Sequence, residues 1–318
     1  MRWSLLLPLL LAAPAALAAD RAVTDAAGRT VAVPEAPQRI VVLHEPLLGI
    51  PILDLGLPLA GSYGRTDAGD SMTAVDFIAT VLGDAAPPPP PGIGAIGQID
   101  LEKLRALQPD LIIGTERDLD KIEQLSAVAP VYLQRSSTGA AYGFGAEAEL
   151  AELLGREAVF ARRRDAYLGR VETIRAGLPV DPRTQTYLAI IVHDEINLVG
   201  EMSGAIQAIE DLGYRRAPLG DTGAASGLGS IFSVPMSAEI FGRINPDLLV
   251  IMSSYASTDR SPQAVRDSLD IVLPGWERFL KPAREGRVLY LDPGLVATPS
   301  VASAEHTLDA FAAWAAAR

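Results

Sequence analysis

A short segment of this chain occurs twice, and the repeat limits the folds that the chain can adopt. Residues 101–113 read LEKLRALQPDLII, and residues 238–250 read AEIFGRINPDLLV. In each copy a glutamate stands seven residues before a Pro-Asp pair, and an apolar run follows that pair. Proline ends helices, and a short apolar run after a turn is typical of a buried strand. The repeat therefore predicts two similar lobes, each with a helix–turn–strand unit.

Apolar runs and helix-forming segments alternate in both halves of the chain. In the first half the pattern predicts strands over 39–43, 58–61, 111–113 and 131–133, with helices over 51–55, 100–107 and 119–128. In the second half it predicts strands over 187–192, 248–252 and 287–291, with helices over 204–212, 236–244 and 304–317. Such alternation is typical of parallel α/β sheets. Ahead of them, residues 22–24 and 30–33 flank a Gly-containing turn and predict a β-hairpin.

One long helix-forming segment separates the two halves. Residues 144–178 are rich in Glu, Ala, Leu and Arg, with Gly155 and Gly169 as weak points, and Pro179 ends the segment. We therefore expect an α/β fold with an N-terminal lobe over 19–143, a linking helix over 144–178 and a C-terminal lobe over 179–318.

The first 18 residues have the parts of a secretory signal peptide in the right order. Arg2 gives a positive start, residues 5–16 form an apolar run, and Ala16-Leu17-Ala18 matches the small-x-small pattern that signal peptidase cleaves. The run is too short for a stable membrane anchor. We expect cleavage after Ala18 and a monomeric protein in the periplasm, with no membrane insertion. The absence of cysteine excludes lipid attachment at the cleavage site and thiol chemistry.

Charge and motif content disfavour several classes of function. The formal net charge of −12 repels nucleic acids and anionic lipid surfaces. The sequence has no Gly-x-Ser-x-Gly elbow and no Gly-x-x-x-x-Gly-Lys phosphate-binding loop, which are the usual settings of catalytic groups. We therefore predict a protein that is not an enzyme, with no catalytic residue, no cofactor and no resident metal ion.

Three motifs carry a resemblance to a known family. They are DAAGRTVAV at 25–33 with PQRIVV at 37–42, GAIGQIDLEKLRALQPDLII at 94–113, and the Asn-Pro-Asp strand of the second half. In order and spacing the chain resembles the substrate-binding proteins of ferric-siderophore and cobalamin importers. The resemblance implies two Rossmann-like lobes bridged by one long rigid helix, with the ligand cleft between them.

The same resemblance implies a function. The chain would be the periplasmic substrate-binding component of an ABC import system, carrying an iron–siderophore complex to the inner-membrane permease. Its N-terminal hairpin favours the ferric-siderophore branch. Haem, cobalamin or a bare transition-metal ion remain alternative ligands of the same fold, and a metal-dependent enzyme is the more remote alternative.

In parallel α/β sheets, ligands bind beyond the carboxyl ends of the strands. This rule selects six candidate ligand-binding side chains: His44, Tyr63, Arg65, Arg117, His193 and Tyr255. It also includes Ser230. Arginine forks would pair with the oxygens of an anionic chelate, and tyrosine offers a flat face with a polar tip. The alternative for the arginines is local pairing with nearby acids, such as Asp67 and Glu116.

Two of the histidines allow two interpretations. His44 and His193 each follow a predicted strand, one in each lobe, and each is followed by an acidic residue. They could donate hydrogen bonds to a chelate. They could also converge with those acids on a bare Zn²⁺ or Mn²⁺ ion, although metal sites usually need three or four protein ligands.

The repeated glutamates are candidates for a second role. Glu102 and Glu239 hold the same register in the two copies of the repeat. The resemblance implies that they dock onto arginines of the permease. The alternative is that both are ordinary exposed helix residues, since acids are favoured in the first turn of a helix.

Overall fold

The computed structural model describes residues 20–136, 141–219 and 234–318. The predicted signal peptide and Ser230 lie outside these residues. Within these ranges, every helix is too short or too polar to span a lipid bilayer.

The first lobe is built on a parallel four-stranded sheet. Its strands, with the preceding hairpin, are β1 (Asp20–Thr24), β2 (Thr30–Pro34), β3 (Ile40–Val42), β4 (Leu59–Ser62), β5 (Leu111–Thr115) and β6 (Val131–Gln134). Its helices are α1 (Ile50–Asp54), α2 (Phe77–Leu82), α3 (Leu101–Ala106) and α4 (Ile122–Ser126), with a π-helical turn at Glu45–Gly49 and 3₁₀ turns at Gly83–Ala85 and Glu116–Lys121. The spatial order is β4, β3, β5, β6. All four predicted strands are confirmed, and β3 and β5 are buried along their whole length, as their continuous apolar sequences require.

The predicted N-terminal hairpin is also confirmed. β1 and β2 pair antiparallel, with Asp20 opposite Pro34 and Thr24 opposite Thr30. The buried Asp25 carboxylate holds the turn, since it accepts hydrogen bonds from the backbone N–H groups of Ala27 and Arg29, both at 3.0 Å. Such side-chain bonding to the local backbone is the reason that aspartate favours turns.

The segment between the lobes is two helices rather than one. The sequence predicted a single helix over 144–178, but the structure has α5 (Gly145–Leu153) and α6 (Glu157–Gly177). Gly155 separates them with a backbone φ of +65°, a conformation that ends a helix and that glycine adopts without steric penalty. Gly169 stays inside α6. The long connecting helix is therefore α6, and α5 is a separate element that precedes it.

The second lobe repeats the α/β plan on a mixed sheet. Its strands are β7 (Thr186–Val192), β8 (Ile196–Leu198), β9 (Arg215–Arg216), β10 (Val234–Met236), β11 (Leu248–Ser253) and β12 (Val288–Leu291). Its helices are α7 (Gly204–Asp211), α8 (Ala238–Arg243), α9 (Pro262–Val272), α10 (Trp276–Phe279), α11 (Lys281–Arg284), α12 (Pro293–Val296) and α13 (Val301–Ala316), with a 3₁₀ turn at Pro182–Thr184. The spatial order is β10, β8, β7, β11, β12, in which β7, β11 and β12 run parallel. The pairs α3–β5 and α8–β11 are the two copies of the sequence repeat.

The two lobes share one hydrophobic core through the connecting helices. A continuous cluster of buried side chains runs from Val33 and Leu111 in the first lobe, through Tyr167 on α6, to Leu248 and Phe311 in the second. Helix α13 packs against both α6 and α7. The approach of α7 depends on Gly204, where a Cβ atom would lie 2.5 Å from the Ala304 nitrogen.

Two buried carboxyl groups join the lobes at the N-terminus of α13. The Val301 N–H donates to Glu147 Oε2 at 2.6 Å, and the Ala302 N–H donates to Asp54 Oδ2 at 3.0 Å. Arg163 on α6 reaches Asp54 at 2.6 Å and Glu305 at 3.5 Å. Burial raises the pKa of Glu147 well above its usual range, and the adjacent Asp54 carboxylate raises it further. Burial also raises the pKa of Asp54, although Arg163 opposes this.

This pair makes stability depend on pH. Above pH 4.5, which is its ordinary pKa, Glu147 loses its proton in the unfolded chain but keeps it in the folded protein. The free energy of unfolding should therefore fall as the pH rises from about 5 towards the raised pKa. We expect Glu147→Gln to remove this dependence, because the amide oxygen still accepts from Val301 and its NH₂ group donates to Asp54. The variant should be more stable than wild type at pH 8, and the difference should be larger there than at pH 5. Urea unfolding at pH 5 and pH 8 measures it. The exposed Glu152→Gln on the same helix is the control, and parallel pH profiles for Glu147→Gln and wild type would contradict the assignment.

Candidate ligand-binding site

A cavity of about 210 Å³ lies between the two lobes. Most of its lining is apolar or aromatic, and it consists of Leu43, His44, Glu45, Pro46, Leu47, Tyr63, Gly64, Thr73, Phe77, Ile96, Tyr255, Ala297 and Thr298. Many of these residues come directly after the carboxyl ends of β3 and β4 in the first lobe, and Tyr255 comes after the carboxyl end of β11 in the second. In the sheet β3 lies between β4 and β5, so the connection after β3 runs to one side of the sheet and the connection after β5 runs to the other. The cavity opens beside this topological switch point, which is the usual ligand position in such sheets.

His44 enters the cavity wall directly after β3. Its Nδ1 atom accepts a hydrogen bond of 3.2 Å from the Leu47 N–H and so caps the π-helical turn. An accepting Nδ1 puts the proton of the neutral ring on Nε2. Burial lowers the pKa of His44 to about 4, so the ring is neutral at physiological pH. His44 is thus a neutral hydrogen-bond donor in the wall of the cavity.

Tyr63 follows β4 and brings a polar atom into the same wall. The side chain is buried, and the backbone N–H of Gly97 is near enough to lower the pKa of the phenol without meeting the geometry of a hydrogen bond. Within the described residues, Oη makes no hydrogen bond. Burial raises the pKa of Tyr63, so the phenol keeps its proton. A buried hydroxyl without a partner costs about 1–3 kcal/mol, which makes it a candidate ligand contact.

Tyr255 contributes the second lobe's aromatic face. It follows β11, and its ring lies 6.1 Å from that of Phe77 at the start of α2, with an angle of 52° between the planes. The contact crosses from one lobe to the other. Aromatic faces of this kind cover the apolar edges of a planar ligand.

Arg65 does not line the cavity, contrary to the prediction from sequence. Its guanidinium is buried and forms bonds to Glu45 at 2.5 and 2.8 Å, to Asp76 at 2.6 and 3.3 Å, and to the Gly69 carbonyl at 2.6 Å. These contacts occupy all its N–H donors. The sequence rule located the loop correctly but could not identify the acids that hold this side chain behind the wall.

Arg117 and His193 also stand apart from the cavity lining. Arg117 is exposed on the turn after β5, near enough to His44 that its charge acts on the ring. His193 is exposed, and its Nδ1 atom lies 2.9 Å from Asp194. The two histidines therefore do not converge. In the described ranges no group of three or more His, Asp or Glu side chains is arranged to hold a metal ion.

The structure adds lining residues that the sequence did not single out. Thr73 and Phe77 come from the connection after β4, and Ala297 and Thr298 come from the turn between α12 and α13. Ile96 is the lining residue of this set that lies in a family motif, the one at 94–113. Its side chain is 63% exposed at the rim of the cavity.

The repeated glutamates occupy matching places in the two lobes. Glu102 is the second residue of α3, capped by Asp100, and Glu239 is the second residue of α8, capped by Ser237. Both are exposed, and Glu239 pairs with Arg243 at 2.6 Å. A helix that precedes a parallel strand runs opposite to it, so its N-terminus lies at the strand's carboxyl edge. Both glutamates are thus on the edge at which the cavity opens.

Comparisons with known proteins agree with this architecture. A sequence profile of the family described as periplasmic binding protein matches residues 63–295. The putative ABC transporter substrate-binding lipoprotein YhfQ of Bacillus subtilis is 26% identical over 277 residues, covering 85% of this chain and 80% of YhfQ. The ferric-anguibactin-binding protein FatB of Vibrio anguillarum is 24% identical over 292 residues, covering 89% and 83%. The structure of the triscatecholate siderophore binding protein FeuA of Bacillus subtilis, complexed with ferri-bacillibactin, superposes with a TM-score of 0.68 at 17% identity, covering 94% and 99%.

Proposed function

The chain belongs to the periplasmic binding protein family, and from this premise we propose that it captures a ferric siderophore for an ABC importer. The ligand would sit between the lobes, and the loaded protein would deliver it to an inner-membrane permease. FatB is named for binding a ferric siderophore, and the FeuA structure contains one. We propose the same class of ligand for this chain because its cavity has apolar and aromatic walls that include the hydrogen-bonding side chains Tyr63 and His44.

The observation that carries the proposal is the unpaired Tyr63 hydroxyl in a largely apolar cavity bounded by both lobes. A ferric siderophore has an organic envelope with apolar edges and coordinating oxygens that accept hydrogen bonds. Tyr63 Oη and His44 Nε2 would donate to such oxygens, while Phe77 and Tyr255 would cover the envelope. Contact with both lobes would favour the closed arrangement.

The lining groups with acid–base chemistry are already engaged within the protein. His44 Nδ1 accepts from Leu47, and both Glu45 oxygens accept from Arg65. Neither is positioned to take a proton from a molecule in the cavity. Recognition without catalysis therefore agrees with this arrangement.

The partners follow from the same proposal. Export by the predicted signal peptide would bring the protein to the periplasm, where Glu102 and Glu239 would dock onto arginines of the permease. Both side chains are exposed on the edge where the cavity opens, so a permease that bound both would contact both lobes.

Native mass spectrometry of protein purified from iron-starved cells tests the function. We expect a retained ligand whose mass includes iron, bound one to one. For Tyr63→Phe we expect that ligand to bind about 3–10-fold more weakly in a calorimetric titration, which corresponds to one lost hydrogen bond of about 0.5–1.5 kcal/mol.

The sign of the stability change separates ligand contact from a structural role. Tyr63→Phe removes a buried hydroxyl that has no partner within the described residues, so the ligand-free variant should be as stable as wild type or more stable. Unchanged affinity for the retained ligand would exclude Tyr63 as a contact. A retained ligand without iron, or specific stabilisation by zinc or manganese alone, would contradict the ferric-siderophore proposal.

A further inference from the structure

The described walls of the cavity carry no positive charge. None of the described residues that line it is lysine or arginine. His44 does not supply a cation either, because its Nδ1 atom accepts from the Leu47 N–H and the ring is held in its neutral form. Protonating Nδ1 would break that hydrogen bond. An anion in this cavity would contact no formal charge of opposite sign among the described residues.

Two cations near the cavity, Arg65 and Lys121, are paired with carboxylates. Arg65 stands between Glu45 and Asp76, so two acids surround one guanidinium. The turn near His44 has the sequence ERDLDK at 116–121, with three acids and two bases. Lys121 in that turn bonds Asp118 at 2.9 Å. The charge of Arg117 in the same turn lowers the pKa of His44, but the charge of Asp118 raises it by more. The electrostatic surroundings of the cavity are therefore neutral to negative.

The internal segments outside the described residues cannot reverse this balance. Residues 137–140 read STGA and residues 220–233 read GDTGAASGLGSIFS. They contain no lysine or arginine, and their one charged side chain is Asp221. Whatever contact these segments make with a ligand, they add no positive charge.

We propose that the cleft selects ferric chelates without net negative charge, of which tris-hydroxamates are the type, and discriminates against tris-catecholates. The inference rests on the proposed function and names the chemical class of its ligand. Three hydroxamates balance the charge of Fe³⁺, whereas three catecholates leave a trianion. A trianion would lose hydration in this cavity without gaining a cation, while the neutral donors Tyr63 and His44 suffice for the oxygens of a neutral chelate.

Calorimetric titration of the purified chain with two probes tests the selection. Ferric desferrioxamine B is the tris-hydroxamate and ferric enterobactin is the tris-catecholate. We expect the tris-hydroxamate to bind at least about tenfold more tightly at physiological salt. The gap should narrow as salt rises, because screening weakens the repulsion of the trianion.

A charge added at the rim gives a second test. Thr73 lines the cavity and is exposed, so Thr73→Lys should fold and should shift the preference towards the tris-catecholate. Thr173→Lys, exposed on α6, makes the same charge change away from the cavity and should shift it less. If the wild-type protein bound the tris-catecholate as tightly as the tris-hydroxamate or more tightly, the inference would be overturned while the proposed function would stand. The same would follow if Thr73→Lys and Thr173→Lys shifted the preference equally. Failure of both probes to bind, with no iron-containing ligand retained from cells, would overturn the proposed function as well.

Discussion

Replacing Arg65 with alanine should lower the free energy of unfolding by about 3–5 kcal/mol, the range for removing one partner of a buried ion pair. The Arg65 side chain is 1% exposed, and the Glu45 side chain that it pairs with is 8% exposed. Alanine would leave Glu45 in the interior without a cation and would free the Gly69 carbonyl from its donor. Urea unfolding of the ligand-free protein measures the loss.

The loss should depend on pH in a direction that identifies Glu45 as the cause. Burial already raises the pKa of Glu45, and Arg65 opposes that rise in the wild type. Without Arg65 the folded variant would keep a proton on Glu45 to higher pH than the unfolded chain does. Its stability would then be greatest at acid pH and would be lost as the pH rises. The deficit relative to wild type should therefore be smaller at pH 5 than at pH 8.

Two matched variants sharpen this result. Arg105→Ala removes an exposed arginine and should change stability by no more than about 0.5 kcal/mol. Combining Arg65→Met with Glu45→Leu should destabilise less than Arg65→Ala, because no unpaired buried charge remains and Asp76 can be hydrated. If Arg65→Ala instead kept full stability and lost ligand affinity, Arg65 would be the ligand contact that the sequence predicted.

The strands and the repeat were predictable because local sequence determines them. A parallel strand covered on both faces must be apolar along its length, and 111–113 and 248–250 satisfy this on their own. The turn at Asp25 was predictable for the same reason, since its side chain bonds only within the turn, to the backbone N–H groups of Ala27 and Arg29 and to the Arg29 guanidinium. Such features need no knowledge of what packs against them.

The break in the linking helix depended on information that local sequence does not contain. Gly155 and Gly169 have the same intrinsic helix propensity, yet the first ends α5 and the second lies within α6. What distinguishes them is the packing of α5 against α1 and of α6 against α13. Tertiary contacts of this kind override propensity.

The site was only partly predictable for a related reason. His44, Tyr63 and Tyr255 follow strand ends and line the cavity, which is where the rule for parallel sheets puts them. The same rule chose Arg65, whose direction is set by acids 20 residues before it and 11 residues after it. It missed Phe77 and Thr298 because neither follows a strand. Phe77 is on α2 and Thr298 lies just after α12, and these two helices pack against each other across the lobes.

The second large effect concerns delivery rather than binding. We expect Glu102→Ala combined with Glu239→Ala to lower uptake of radiolabelled iron about tenfold or more in cells that carry the variant as their only copy. Each glutamate lies in the first turn of a helix that precedes a central strand of its lobe, so both are on the edge that would meet the permease. Two lost charge pairs at the rim of an interface weaken association and misalign the partners.

The ligand-binding reaction should be untouched, because neither glutamate lines the cavity. Calorimetric titration of the isolated double variant should therefore give wild-type affinity. The matched control is Glu123→Ala with Glu277→Ala, which removes one exposed glutamate from each lobe at other places, the second of them also paired with an arginine, Arg266. Single variants should transport at intermediate rates, and their defects should deepen as salt screens the remaining pair. Normal uptake by the double variant, or an equal loss in the control, would reduce Glu102 and Glu239 to ordinary exposed helix residues.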